Sequence, residues 1–448
     1  MVEILPGFRE FYPENCFIRN FIFEKVRQMC HNFGFVEYDA PILESLELFT
    51  EKSGEEIVSQ LFSFSDRGGR SVALRPEMTP AVARMIGSKI NALKRPLKWF
   101  SIEENFRYER PQRGRLRSFY QFNIDIFDEP DATADGEIIA LAIAILQSLG
   151  LCAVDFHVRL SDRQLWSILL QVLGVPENLN LEILSIIDKI EKETPEEIIR
   201  KLNALGTNGG LLREKIQTLM TLHTLDDLQI FFDQLSKSQN DSSGAIPARL
   251  QQMEILMTSL KHMGLQDFIT VDFSIVRGLA YYTGFVFEFF ERSGKSRALA
   301  GGGRYDQLIG KSGYPSTAAV GLAIGDVTLT NVLQEKNLLP SFDQKCDLFI
   351  IFDEISKPFV REDIHKLRLA GFSVTHTLKE NFTLDRQFKQ ALQRAHWIAS
   401  YREGKELVTL RDVSYGKDFS IPRQNLLTFL REKELERREK PTLPTVVK

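Results

Sequence analysis

The sequence predicts an α+β fold: a strand-rich domain interrupted by a helical insertion and followed by a small α/β domain. Three observations carry that expectation. Strand-like segments stand on both sides of residues 163–265, which are helical in pattern throughout. Two of those segments, 98–106 and 118–127, are joined by a turn that holds Pro111 and Gly114. Beyond residue 345, strand and helix patterns alternate.

In chain order, residues 15–33 place Phe17, Ile18, Phe21, Ile22, Met29 and Cys30 at helical spacing, and Gly34 is placed to end that helix. An extended stretch runs to Pro41. Residues 71–75, 98–106 and 118–127 read as strands. Over 134–149, Ile138, Leu141, Ala142, Ile145 and Leu149 mark an amphipathic helix. Val154, Phe156, Val158 and Leu160 alternate with polar residues, as in a half-buried strand. Helical patterning then holds to 265, with a loop at 238–244. Strands resume at 269–276 and 283–291, before the glycine run Gly301-Gly302-Gly303 and a helix from about Asp326. Residues 340–344 read as a linker. Beyond it come a strand (346–352), a helix (358–369), a strand (372–377), a helix (383–395), strands at 397–401 and 406–411, and a helix (422–434). The expected boundaries are 1–162 with 266–338 for the main domain, 163–265 for the insertion, 345–434 for the small α/β domain and 435–448 for a charged, flexible tail.

A length of 448 residues suits two or three domains, and 43% hydrophobic with 26% charged residues suits a globular chain. The 33 Phe, against 10 Tyr and 3 Trp, read as core filling. A net charge of −4 favours no partner, so nucleic-acid binding would rest on local basic patches. Cys16, Cys30, Cys152 and Cys346 lie far apart with no CxxC pair, which argues against a zinc ribbon or redox dithiol. They read as buried free thiols in a reducing cytosol. No stretch approaches the ~20 apolar residues of a membrane helix. The N-terminus shows no basic region followed by an apolar one, so a cytoplasmic protein is expected.

The chemistry concentrates between the two predicted strands. Arg107, Arg110, Arg113, Arg115 and Arg117 crowd the turn, with Phe119 and Tyr120 just past it. A solvated basic loop is the plain alternative for any arginine run. Here the first arginine closes a strand, and aromatic rings follow the turn. Rigid guanidinium groups and a flat apolar surface are what a polyphosphate nucleotide needs.

Phe106-Arg107-Tyr108-Glu109 resembles motif 2 of the class II aminoacyl-tRNA synthetases. The continuation through Arg110, Pro111, Gln112, Arg113, Gly114 and Arg115 to Phe119, Tyr120 and Gln121 is similar to the histidyl enzymes in particular. So is the stretch 274–288, with Arg277-Gly278-Leu279 followed by Tyr281-Tyr282. The segments 300–306 and 74–79 match that family too, and 34–41 resembles motif 1, its dimer-forming segment. The resemblance runs from the N-terminus to about residue 434 and is weakest in the insertion. It implies an antiparallel catalytic sheet flanked by helices and a C-terminal anticodon-binding domain. It also implies ATP with Mg²⁺, L-histidine and tRNA(His) as reactants, and a homodimer.

Residue by residue, the resemblance gives Arg107 the α-phosphate and places Arg277 on its other side, as the catalytic pair. Phe119 would stack on adenine, Glu109 would accept from the adenine amine, and Arg115 would add to ATP binding. Glu77, Met78, Thr79, Gln121 and Asp125 fall on positions around the histidine ammonium group, and Tyr281 and Tyr282 where the imidazole is read. No protein-held metal is implied. Lys357, Lys379, Arg386 and Lys389 are candidates for tRNA backbone contacts.

Motif 3 departs from the family. Its pattern, roughly Gly-Phe-Ala-x-Gly-x-Glu-Arg-Leu, reads here from Gly321 to Leu329 with Val327 for the glutamate and Thr328 for the arginine that holds the γ-phosphate. Ala280 replaces an acidic residue, and Asp125 a glutamate. Three readings stand at this point: an active histidine–tRNA ligase, a non-catalytic regulatory relative (for example of ATP phosphoribosyltransferase), and a class II synthetase for glycine, threonine or proline. The tyrosine pair after Arg277 argues against the third. Arg107, Arg277 and the C-terminal domain together argue against the second.

Overall fold

The computed structural model describes residues 2–50, 55–190, 193–239, 245–276, 281–294, 297–378, 382–403 and 406–439. The chain forms two compact units, Met1–Pro340 and Ser341–Lys448. Arg277 and Lys379 lie outside the described residues, as does most of the 238–244 loop.

The first unit holds β1 (Val36–Glu37), β2 (Leu43–Ser45), β3 (Ser63–Ser65), β4 (Ser71–Leu74), β5 (Leu97–Phe106), β6 (Ser118–Phe127), β7 (Phe156–Asp162), β8 (Ile269–Val271), β9 (Phe285–Glu291), β10 (Ala300–Arg304) and β11 (Ala319–Gly325). Strands β2, β4 and β3 make a small antiparallel sheet. The other eight make one sheet in the order β1-β5-β6-β11-β10-β9-β7-β8. It is antiparallel except where β1 joins β5 and β8 joins β7 in parallel.

The β5–β6 hairpin pairs from Leu97↔Phe127 to Phe106↔Ser118. Side chains alternate across a sheet. Phe100, Phe122, Ile124 and Ile126 therefore join the main core with Ile22 and Val26 of the helix Pro13–Asn32 and Ile138 of the helix Ala132–Ser148. Ser101, Glu103, Asn105, Gln121, Asn123 and Asp125 alternate with them, on the opposite face. The first helix begins on Pro13, whose missing N–H costs nothing there. It ends at Asn32, and Gly34 two residues on takes φ +78°.

The helices between Arg163 and His262 are not a body apart. Trp166, Leu202, Ile216, Phe232 and Leu256 belong to the same core cluster as Phe122 and Phe287 of the sheet. The last of these helices, Ala245–His262, crosses Ala132–Ser148 at Gly136. There Leu256 and Ser259 lie 3.4 Å from where a Cβ would stand. Behind β10, buried Arg304 reaches Asp135 at 2.5 Å and donates to the carbonyls of Glu129 and Asp131 at 3.0 and 3.1 Å. Breaking such a pair from one side costs about 3–5 kcal/mol, because it strands a buried charge.

The second unit is a five-stranded sheet in the order β13-β12-β14-β15-β16, built from β12 (Cys346–Phe352), β13 (Val374–His376), β14 (Ala395–Tyr401), β15 (Leu407–Asp412) and β16 (Asp418–Pro422). Alternation on β12 serves two small cores. Leu348 and Ile350 pack with Val360 and Ile364 of the helix Lys357–Leu369, while Phe349 and Ile351 pack with Ala391 of the helix Leu384–Arg394.

Several expectations need correction. The strand expected over 269–276 stops at Val271, because the Asp272 carboxylate accepts from the Ser274 N–H and hydroxyl and turns the chain. Val154 is exposed and precedes its strand. The glycine run is strand β10, and β11 was not foreseen. The final helix begins at Leu426 after strand β16 and continues to Glu439, so the tail does not start at 435. No proline or glycine interrupts the chain before Pro441. The four cysteines are free, but only Cys30 is buried; Cys16 and Cys346 are half-buried and Cys152 is exposed. Burial pushes the Cys30 thiol up to about 12. Phe does fill the core: Phe35, Phe49, Phe100, Phe122, Phe127 and Phe285 are all but inaccessible. Among the described residues, no helix is long and apolar enough to cross a membrane.

Candidate active site

The polar face of the β5–β6 hairpin forms the floor of the site, and each end carries a different chemistry. At the open end, Arg107 follows directly on β5. Its N–H bonds the Arg117 carbonyl at 3.0 Å, which closes the base of the arginine loop. Its Nε donates to the Pro76 carbonyl at 2.9 Å, and its guanidinium carbon lies 5.4 Å from the Phe119 ring centroid. The Nη groups have no partner among the described residues. The guanidinium is therefore aimed by one edge and chemically free along the other. Within the loop, Arg115 stands 3.0 Å from the half-buried Glu109. Arg113 pairs instead with Glu335.

The closed end is acidic and buried. Asp125 is 4% exposed and accepts from the Tyr305 hydroxyl at 2.5 Å. Tyr305 in turn packs on Tyr281 at 5.8 Å between centroids, and Tyr281 on Tyr282 at 4.9 Å. Gly321 pairs with Asp125 across the β6–β11 ladder, and a Cβ on it would collide with the carboxylate. A glycine inside a strand marks just such a close approach. A Cβ on Gly303 would likewise stand 2.6 Å from the Phe285 carbonyl oxygen and 2.9 Å from the Tyr282 ring.

A second carboxyl shares this face. Glu103, 1% exposed, accepts from Ser101 at 2.6 Å, from Asn105 at 3.3 Å and from Asn123. Burial pushes it up to about 7, against the pull of Ser101, Arg75, Asn105 and Asn123. Asp125 is likewise raised to about 7, chiefly by burial; the Tyr305 hydrogen bond opposes the rise and Glu103 adds to it. Two carboxyls that exchange protons near neutrality, facing tyrosine and amide groups, suit a ligand that presents N–H donors.

The remaining expected residues fall around this floor. Glu77 and Met78 are buried just before the helix Thr79–Lys89, and Met78 packs with Ala40 and Ala81. Thr79 is half-buried in that helix's first turn. Gln121 accepts from Asn105 at 3.1 Å. Sequence reasoning did not single out Glu103 or Tyr305 as site residues. The signal for Glu103 was present in the alternation of Ser101 and Glu103 with Phe100 and Ile102 on β5, matched by Gln121, Asn123 and Asp125 on β6. Tyr305 stood in the quoted run 300–306 without a role.

The motif 3 segment keeps its backbone place. Strand β11 pairs with β6 from Ala319↔Phe127 to Gly325↔Gln121, and the helix Asp326–Glu335 follows at once. Asp326 is buried. It accepts from the Tyr120 N–H at 2.9 Å and from Arg9 at 2.8 Å, binding the N-terminal segment and the hairpin to this helix. Thr328, two residues on, faces the loop at Gly114. Among the described residues, no group of three or more His, Cys, Asp and Glu could hold a metal ion.

Comparisons with known proteins agree with this geometry. The family profile for histidyl-tRNA synthetase matches residues 7–328. A histidine–tRNA ligase from Opitutus terrae is 45% identical over 435 residues, covering 96% of this chain and 98% of its own. A histidyl-tRNA synthetase crystal structure from Nostoc superposes with a TM-score of 0.76 at 22% identity, over 96% of this chain and 99% of that one. A Bacillus halodurans structure described as an ATP phosphoribosyltransferase regulatory subunit/histidyl-tRNA synthetase superposes with 0.71 at 21% identity, over 90% and 98%. Likeness at these identities shows the shared fold alone. The sequence match over nearly the whole length goes further: this chain belongs to the histidyl-tRNA synthetase family.

Proposed function

We propose that this protein is a histidine–tRNA ligase that forms AMP and diphosphate. The observation that carries the reading is the two-ended floor. Arg107 and Phe119 stand at one end of β6, and the buried Asp125–Tyr305 pair stands six residues away, about 20 Å along a strand. A nucleotide joined to an amino acid through its phosphate spans such a distance.

In the first step a carboxylate oxygen of histidine attacks the α-phosphorus. The bond to the α–β bridging oxygen breaks, and pyrophosphate leaves with the electron pair. The protein's task is to neutralise and hold the phosphoryl group in transit. Arg107 meets its oxygens from the hairpin side, and Arg277 is assigned the other side. Phe119 carries the adenine, Glu109 accepts from its amine, and Arg115 reaches toward the phosphates beyond. Glu77, Met78, Thr79 and Gln121 surround the ammonium group. Asp125, held by Tyr305, joins them there, and Tyr281 and Tyr282 flank the imidazole. In the second step a ribose hydroxyl at the 3′ end of tRNA(His) attacks the histidyl carbonyl, and AMP leaves. Mg²⁺ enters as part of the nucleotide substrate, on phosphate oxygens.

The domain assignment belongs to the same reading: 1–162 with 266–338 as the catalytic domain, 163–265 as the insertion and 345–434 as the anticodon-binding domain. Arg386 and Lys389, both exposed on the helix Leu384–Arg394, would meet the tRNA backbone. Lys357 is already paired with Glu354 at 3.3 Å. Cytoplasmic location and a homodimer formed through 34–41 complete the reading.

The test is pyrophosphate exchange into ATP by purified protein with Mg²⁺. Exchange that depends on histidine supports the ligase. Its absence, with the protein folded, overturns it.

A further inference from the structure

The loss of the motif 3 arginine leaves the far end of a triphosphate without its expected charge. The helix Asp326–Glu335 does not supply it. Its N-terminal dipole is already met by the buried Asp326 carboxylate, itself bound to Arg9. Thr328 offers a hydroxyl and no charge.

Another cation stands at the same spot. Arg297 lies on the connection between β9 and β10, remote in sequence from motifs 2 and 3. Its Cδ and the Thr328 Oγ1 are each 3.5 Å from the point where a Cβ on Gly114 would stand. The three segments therefore meet at the turn of the arginine loop, where φ at Gly114 is +78°. A long side chain at 328 would occupy that corner; threonine leaves it to Arg297. Arg297 is exposed and has no hydrogen-bond or ion-pair partner among the described residues. Burial lowers its pKa first, the like charge of Arg115 lowers it further, and Glu109 opposes. Two guanidinium groups thus face one carboxylate, an arrangement that a phosphate chain would relieve.

We propose that Arg297 binds the γ-phosphate of ATP, in the place of the arginine that Thr328 replaces. This rests on the ligase reading, and it names a residue outside the family's motifs. Arg107 then holds the α-phosphate and Arg297, with Arg115, the departing pyrophosphate end.

The experiment compares wild type, Arg297→Ala and Arg297→Ala/Thr328→Arg as full-length protein. In pyrophosphate exchange, Arg297→Ala should raise KM for ATP by about 30-fold, the loss expected for one charge-assisted contact. KM for histidine and the thermal midpoint should hold. Equilibrium binding of ATP, ADP and AMP reads the site without turnover: the variant should lose its preference for ATP over ADP and keep its AMP affinity. The double variant should recover most of the ATP affinity. An unchanged ATP-over-ADP preference in Arg297→Ala overturns the proposal, as does an equal loss of AMP affinity. A wild-type protein without histidine-dependent exchange overturns the ligase reading instead, and the binding series still decides the role of Arg297.

Discussion

The β5–β6 hairpin and the β10–β11 arm lie side by side in one sheet, joined by the β6–β11 ladder, yet they carry chemistry differently. In the hairpin, the motif and its charge coincide. Arg107 stands where the strand ends, and its neighbours Pro76 and Phe119 aim it. In the arm, the backbone keeps its register from Ala319 to Gly325 while the charged residue after it is gone. The comparison teaches that register and charge are separable. Backbone pairing is held by the whole sheet and resists change. A guanidinium at the rim needs only a reachable anchor, and a neighbouring connection can provide one.

The contrast breaks most sharply at Arg107. Arg107→Ala should lower histidine-dependent exchange by about 10²–10³-fold, the usual cost of removing a preorganised charge from a transition state. A smaller loss than that of Arg297→Ala would reverse the order of importance given to the two regions. Steady-state kinetics on both variants decides it.

The next effect sharpens what the arm contributes besides charge. Tyr305 follows β10 directly and holds Asp125 of β6 at 2.5 Å. Tyr305→Phe should raise KM for histidine by about 10-fold with little change in KM for ATP, since one hydrogen bond to a buried acid is lost. An equal effect on both substrates would mean that the two ends of the floor are not independent.

The smallest effect concerns the floor itself. Burial holds Asp125 and Glu103 up near 7, above the ~3.9 and ~4.3 of exposed groups. The folded protein therefore keeps protons that the unfolded chain releases at lower pH. This contribution is fully present below about pH 4 and is lost as pH rises through about 7. Ligand-free protein should lose about 1 kcal/mol of stability per group between about pH 6 and 8. Denaturation series at several pH values should show it, and Glu103→Gln should flatten the dependence. A flat profile in the wild type would show that the floor is open to water.

Much of this site was legible in the chain. The hairpin needed only alternation, a turn and an arginine run, all local, and its strands match expectation within one residue. The central strands β10 and β11 were harder. Gly302, Gly303 and Gly321 have little strand propensity, and a side chain on them would collide with Phe287, Tyr282 and Asp125 in turn. The insertion read correctly as helical, but its shared core with the sheet was invisible, because burial of Leu202 or Phe232 depends on partners far along the chain.

Local order thus determined the element types, the hairpin and the family, because hydrophobic period and motif spacing act over a few residues. Tertiary structure alone decided which side chains meet. It brought Tyr305 to Asp125 across 180 residues, set Asp326 beneath Tyr120, and placed Arg297 at the turn of a loop that lies as far back in the chain. No periodicity encodes such meetings, since they follow from strand order and from the space that glycines leave.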